Sequence, residues 1–192
     1  QNEGFNGSYA LTAGYGKGGV GNGSINLNYR HKKVTLYAAY DYVHLGQEQT
    51  FWTYRRILLG NNLVETETST FRPQKTNNQN VRVGLDYQLN TKTTIGVGVS
   101  ALANKYELKN GLSNAQFSRN KVVDTLVQLN VNNVNRLKHI GLNFNIRHIL
   151  RENEVLSFTA DYLHYDNDQF VNYDNKWLDG KNNLLFEQPM HT

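Results

Sequence analysis

Along much of the chain apolar and polar residues alternate one for one, the period of a strand whose successive side chains point to opposite faces. From Thr94 to Asn104, Ile95, Val97, Val99, Ala101 and Ala103 share one face, Gly96, Gly98, Ser100 and Asn104 hold the other, and Leu102 alone breaks the rule. Val81, Val83, Leu85, Tyr87 and Leu89 likewise oppose Asn80, Arg82, Gly84, Asp86 and Gln88. The pattern recurs at Ile140 to Arg147, Ser24 to Arg30, Val34 to Tyr42 and Leu156 to Tyr162, and more weakly at Tyr9 to Tyr15. Seven strands are predicted.

The turns between them fall into two kinds. His31 to Lys33, Asn90 to Thr93 and Arg151 to Glu154 are tight and polar, whereas Gly46 to Asn78 and Lys105 to His139 are long polar excursions that predict loops. Short turns on one side and long loops on the other are the anatomy of an up-and-down transmembrane β-barrel, with the short turns periplasmic and the loops extracellular. A soluble sandwich more often turns every 8–12 residues. Strands of about 9–11 residues, with tyrosines near their ends, also suit a membrane wall. Alternation alone permits either, because a sandwich buries its two apolar faces against each other.

Composition agrees with strands. Tyrosine stands at 12, glycine at 16 and proline at only 2, a mixture that favours strands and turns over helices. AVILMFWYC residues make up 39% and mean hydropathy is −0.62, a thin supply for a thick core. The net charge of +4 is spread singly and not in blocks, so nucleic acid is not an expected partner. Without cysteine there is no disulfide framework and no thiolate metal site. No run of 18 apolar residues predicts a membrane helix, and no charged-then-apolar leader is visible, so any export signal is expected outside this sequence.

Several motifs resemble chemical sites. Gly16, Gly18 and Gly21 have GxGxxG spacing, but a phosphate loop needs a helix after it, and Ser24 to Arg30 reads as a strand. A glycine-rich hairpin turn is expected. The histidines at 31, 44, 139, 148, 164 and 191 are dispersed, with His44, His148 and His164 extending apolar faces toward a rim, and no metal is expected. Asp166, Asp168 and Asp174, within the stretch Asp166 to Asp179, read as an Asx-rich loop whose oxygens suit calcium or, more commonly, cap their own turns.

On the polar face the alternation places Arg30, Asp41, Arg82, Asp86, Arg147 and Asp161, which in a barrel face the lumen as braces or touch a passing solute. Phe51, Trp52, Tyr54, Arg55 and Arg56 in the first long excursion form an aromatic and basic cluster suited to an external ligand, or to packing among loops. No spacing supports a catalytic constellation, so neither enzymatic activity nor a cofactor is expected.

The strings GFNGSYALTAGYGKG, SINLNYRHKKVTLYAAYDY, NVRVGLDYQLNTKTTIGVGVS and IGLNFNIRHILRENEVLSFTADYLHYDND, between Gly4 and Asp168, resemble successive hairpins of the outer-membrane β-barrels related to TonB-dependent receptors. In that family a plug domain precedes a barrel of about 22 strands. The resemblance implies that Gly4 to Tyr15 is the first strand after the plug and that residues 1–192 form one segment from the N-terminal part of a larger barrel. Seven strands fall short of the whole barrel, and Glu187 to Thr192 lacks an aromatic-ended final strand. It further implies the outer membrane of a Gram-negative bacterium, with outer-membrane lipid, plug, TonB machinery and a nutrient such as a siderophore or glycan as partners. Two other readings remain: a soluble or surface-attached β-sandwich that binds carbohydrate or protein, and a hydrolytic barrel. If the segment closes on itself, about eight strands are required, with Asn183 to Glu187 recruited.

Overall fold

The computed structural model describes residues 3–191. It is all-β: eight strands form one antiparallel up-and-down sheet in chain order. They are β1 (Gly4–Tyr15), β2 (Gly19–His31), β3 (Val34–Leu59), β4 (Asn62–Gln88), β5 (Thr93–Arg119), β6 (Val122–Arg151), β7 (Glu154–Asp179) and β8 (Leu184–His191). The sheet is open, since β1 pairs with β2 and β8 with β7, not with each other. An eighth strand, Leu184–His191, forms beyond the seven predicted, yet the closure that would have recruited Asn183 to Glu187 does not occur.

The three tight turns lie where the charge pattern puts them. The long excursions do not become loops. They continue the strands, so β3 through β7 reach 26 to 30 residues and meet at two-residue tips, Gly60–Asn61 and Asn120–Lys121. Positive φ at Gly60 (62°), Asn120 (50°) and Lys121 (70°) matches the twist that a two-residue hairpin needs. The tips are stitched together: the Leu63 amide donates to Asn120 Oδ1 at 2.9 Å, and Asn120 Nδ2 donates to Asn62 Oδ1 at 3.1 Å. Thr, Val and Phe recur in these arms, so they pair as ribbons although neither face is continuously apolar.

Among the described residues, register shifts interrupt the ladder at five places, and two of them lie close together, between Phe71 and Gln74 on β4 and between Leu108 and Gly111 on β5. Pro73, which has no amide to donate, and Asn110, at φ 56°, sit within them. The glycine-rich turn is a hairpin connection, with the Gly16 amide bonded to the Gly18 carbonyl at 3.1 Å and no helix after it. Its glycines allow close approach of backbones, because a Cβ on Gly18 would overlap the Gly46 carbonyl of β3.

One layer of sheet leaves almost nothing buried. Among the described residues, Leu108 and Val171, 5% and 6% exposed, are the buried large apolar side chains, and they flank Asn133 in one row across β5, β6 and β7. The accessible surface is 13609 Å², against about 9,300 Å² expected for a compact monomer of this mass.

Candidate functional site

The strand register aligns the alternating apolar positions into rows. Val34, Tyr87, Ile95, Ile146 and Phe158 form the first, across β3 to β7. Above it run Leu36, Leu85, Val97, Phe144 and Ala160, then Ala38, Val83, Val99, Leu142 and Tyr162, then Tyr40, Val81, Ala101, Ile140 and His164. Tyr29, Leu27 and Ile25 of β2 continue the upper three, with Phe5 and Tyr9 of β1 beyond them. Rows two residues apart are about 6.8 Å apart, so the four together rise about 20 Å. Among the described residues nothing packs on this face: Val83, Val99 and Tyr162 are 50%, 51% and 59% exposed.

Polar groups bound the band. Above it the same face carries Gln79, Lys138 and Asp166, then His44, Asn77, Lys105, Arg136 and Asp168. His164 ends the fourth row, and His148 lies below the first, with its Nδ1 2.9 Å from the Thr93 hydroxyl. His44 Nδ1 is 2.7 Å from Asn77 Oδ1.

The opposite face is polar, and it carries Arg30, Asp41, Arg82, Asp86, Arg147 and Asp161, the six residues that the alternation assigns to it. The bracing ladder of ion pairs is replaced in part by amides. Asn143 Nδ2 donates to Asp161 at 2.6 Å and Asn80 Nδ2 to Asp41 at 3.4 Å. Glycines keep this face low. Gly84, Gly96 and Gly141 are buried under Tyr37, under Asn145 with Asp86, and under Ser100 with Leu163.

The aromatic and basic cluster is neither on a loop nor a single cluster. It lies on the distal arm of β3, and the pleat divides it, with Trp52, Tyr54 and Arg56 on the face of the apolar rows and Phe51 and Arg55 on the other. Tyr54 and Arg56 converge on Glu65 of β4. The Tyr54 hydroxyl donates to Glu65 Oε1, and Arg56 donates to the same oxygen at 2.9 and 3.2 Å and to the Tyr54 hydroxyl at 3.0 Å. The hydroxyl bond first, then the guanidinium bond, hold the Glu65 carboxyl below the usual carboxylate range. Glu65 was not among the expected site residues; its position opposite Arg56 depends on the Gly60–Asn61 turn.

The Asp166 to Asp179 stretch is likewise strand β7 and not a loop. Asp168 faces Arg136 at 3.4 Å, while Asp179 closes the next turn by accepting the amides of Lys181 and Asn183 at 2.8 and 2.9 Å. Among the described residues no group of three His, Cys, Asp or Glu is placed to hold a metal.

A concavity of about 510 Å³ opens beside the two neighbouring register shifts of β4 and β5, between the glycine-rich turn and Pro73, Lys75, Glu107 and Lys109. Glu107 pairs there with Lys105 at 2.9 Å and Lys109 at 3.5 Å, and the Lys105 bond leads in holding its carboxyl below the usual range. No protein-family model and no curated protein matches the chain.

Proposed function

We propose that this chain is wall of an outer-membrane β-barrel, part of a TonB-dependent-receptor-like transporter that takes up a nutrient across the outer membrane of a Gram-negative bacterium. The observation that carries the reading is the uncovered apolar band, in register across seven strands. A continuous apolar surface of this size is unfavourable in water, where exposed patches seldom exceed a few hundred Å², and natural against lipid. Its rise of about 20 Å approaches the apolar belt of such barrels, roughly 25 Å tall, and polar residues begin on either side of it.

In this reading the polar face looks into the lumen, the tight turns face the periplasm, and the distal arms of β3 to β7 stand outside as ribbons. Trp52, Tyr54 and Arg56 are placed on those arms to meet an external ligand. The free edges pair with further strands of a larger wall, since raw edges invite uncontrolled association. The plug and the TonB machinery belong to the same reading, as does the absence of catalysis.

A soluble β-sandwich binding module would need a second layer over the apolar rows. Folding in detergent micelles and in detergent-free buffer separates the two. The barrel wall gives a β-type circular dichroism spectrum and heat-modifiable gel mobility in micelles, with aggregation in buffer. A monodisperse, folded chain without detergent contradicts it.

A further inference from the structure

On the polar face, at the tight-turn end, a cleft of about 390 Å³ is lined by four cationic side chains, Arg30, Lys33, Lys92 and Arg147, and by one carboxylate, Asp86. They arrive from four strands or turns. Arg30 is on β2, Lys33 ends the turn before β3, Lys92 ends the turn before β5, and Arg147 is on β6. The register sets Arg30 and Arg147 at opposite sides of the cleft, with β3, β4 and β5 between them: Arg30 lies beside Thr35, Thr35 beside Asp86, and Thr94 joins Gln88 to Arg147.

Lys33, Lys92 and Arg147 by themselves outnumber the one carboxylate of the cleft, so the cleft favours an anion. Asp86 is turned toward Gly96 and Asn145. Lys33 Nζ gives one bond to the Leu89 carbonyl at 3.3 Å and keeps further donors. Threonine hydroxyls at 35, 91 and 94 add neutral donors around the same space. Guanidinium forks and ammonium groups of this kind bind oxyanions through charge-assisted hydrogen bonds. The cleft walls, being less polarisable than water, concentrate the positive potential.

We propose that this cleft is a binding site for a small solute bearing several oxyanion groups, phosphate or carboxylate. Arg30 and Arg147 grip it from opposite sides, Lys33 and Lys92 close the rim, and Asp86 limits its affinity so that the solute can leave. The proposal does not depend on what covers the apolar face, since the cleft lies on the other side of the sheet.

The test is calorimetric titration of the full chain, in the medium that keeps it folded and monodisperse, with inorganic phosphate and with citrate against chloride at equal ionic strength. Either oxyanion binding well above chloride is the expected result, and the tighter of the two identifies the group the cleft prefers. Arg147→Gln and Lys92→Gln each weaken binding at least fivefold, Asp86→Asn tightens it, and Lys181→Gln, at the far end of the sheet, leaves it unchanged. Circular dichroism of each variant confirms the fold, and Lys92→Gln, at an exposed turn, keeps the test open if Arg147→Gln unfolds. Binding no stronger than chloride, or equal weakening by Lys181→Gln and Arg147→Gln, overturns the site.

Discussion

The far end of the Tyr37 phenol lies over the backbone of Gly84, its directly paired neighbour on β4, so that a Cβ on Gly84 would overlap the ring. The same hydroxyl lies 3.2 Å from where a Cβ on Gly98 would sit, one strand further on. A long side chain from β3 thus covers two glycines in one row. The glycines of GLDY and GVGVS, read in sequence only as small members of the polar face, are the floor on which this tyrosine rests.

Replacing Gly84 with alanine forces the ring away and should destabilise the sheet by about 1–3 kcal/mol, the usual range for overpacking. In Tyr37→Ala the added methyl meets no ring, so the double variant should be non-additive by about 0.5–3 kcal/mol. Denaturant unfolding of the four proteins in micelles reads the cycle.

A charge placed on the apolar band distinguishes lipid from water as its solvent. Val83→Arg, in the third row, should cost about 2–4 kcal/mol if the face meets the bilayer near its midplane. On a water-exposed face the same change falls within about 0.5 kcal/mol. Ser24→Arg, opposite Asp41 on the polar face, should be nearly neutral. Equilibrium unfolding in lipid vesicles makes the comparison.

At the tip of the β3–β4 arm, Glu65 is held below its ordinary carboxylate value by the Tyr54 hydroxyl and then by Arg56. A carboxyl lowered on folding stabilises the folded arm above the unfolded value and ceases to do so as pH falls through the lowered one. Hydrogen exchange in the tip between Arg55 and Thr66, corrected for the intrinsic pH dependence of exchange, should show more opening across that acidic interval. Glu65→Gln should remove the pH dependence.

Asp179 is lowered in the same sense, first by the Asn183 side-chain amide and then by the Asn183 backbone amide. The β7–β8 turn should therefore loosen as pH drops below the ordinary aspartate value toward the lowered one. Asp179→Ala should expose the Leu184 to His191 amides to exchange at neutral pH while β4 to β6 remain protected.

How much of this was legible in the sequence differs between the two halves of the strands. Between Val34 and Tyr42 or Thr94 and Asn104 one face is apolar, so periodicity announces strand and facing together, and the polar-face residues Arg30 to Asp161 fall where alternation puts them. In ETETST no residue is apolar, and in VNNVNR both faces mix polar with apolar residues, so the period-two signal vanishes and pairing rests on tip residues such as Gly60 and Asn120. Treating those arms as loops left Phe51 to Arg56 as one cluster, when a strand necessarily sends neighbours to opposite faces. Glu65 opposite Arg56, and the placing of Arg30 and Arg147 around one cleft, required the register, which no local pattern carries.

The most direct measurement exploits the absence of cysteine from the sequence. Single cysteines at each position from Ile95 to Ala103 would carry a bimane fluorophore, with the chain folded into vesicles containing brominated lipid. Strong quenching at 95, 97, 99, 101 and 103, and weak quenching at 96, 98, 100 and 102, is the result this account predicts. Equal quenching along the strand, or protection of the odd positions from lipid, would contradict a membrane-facing apolar band.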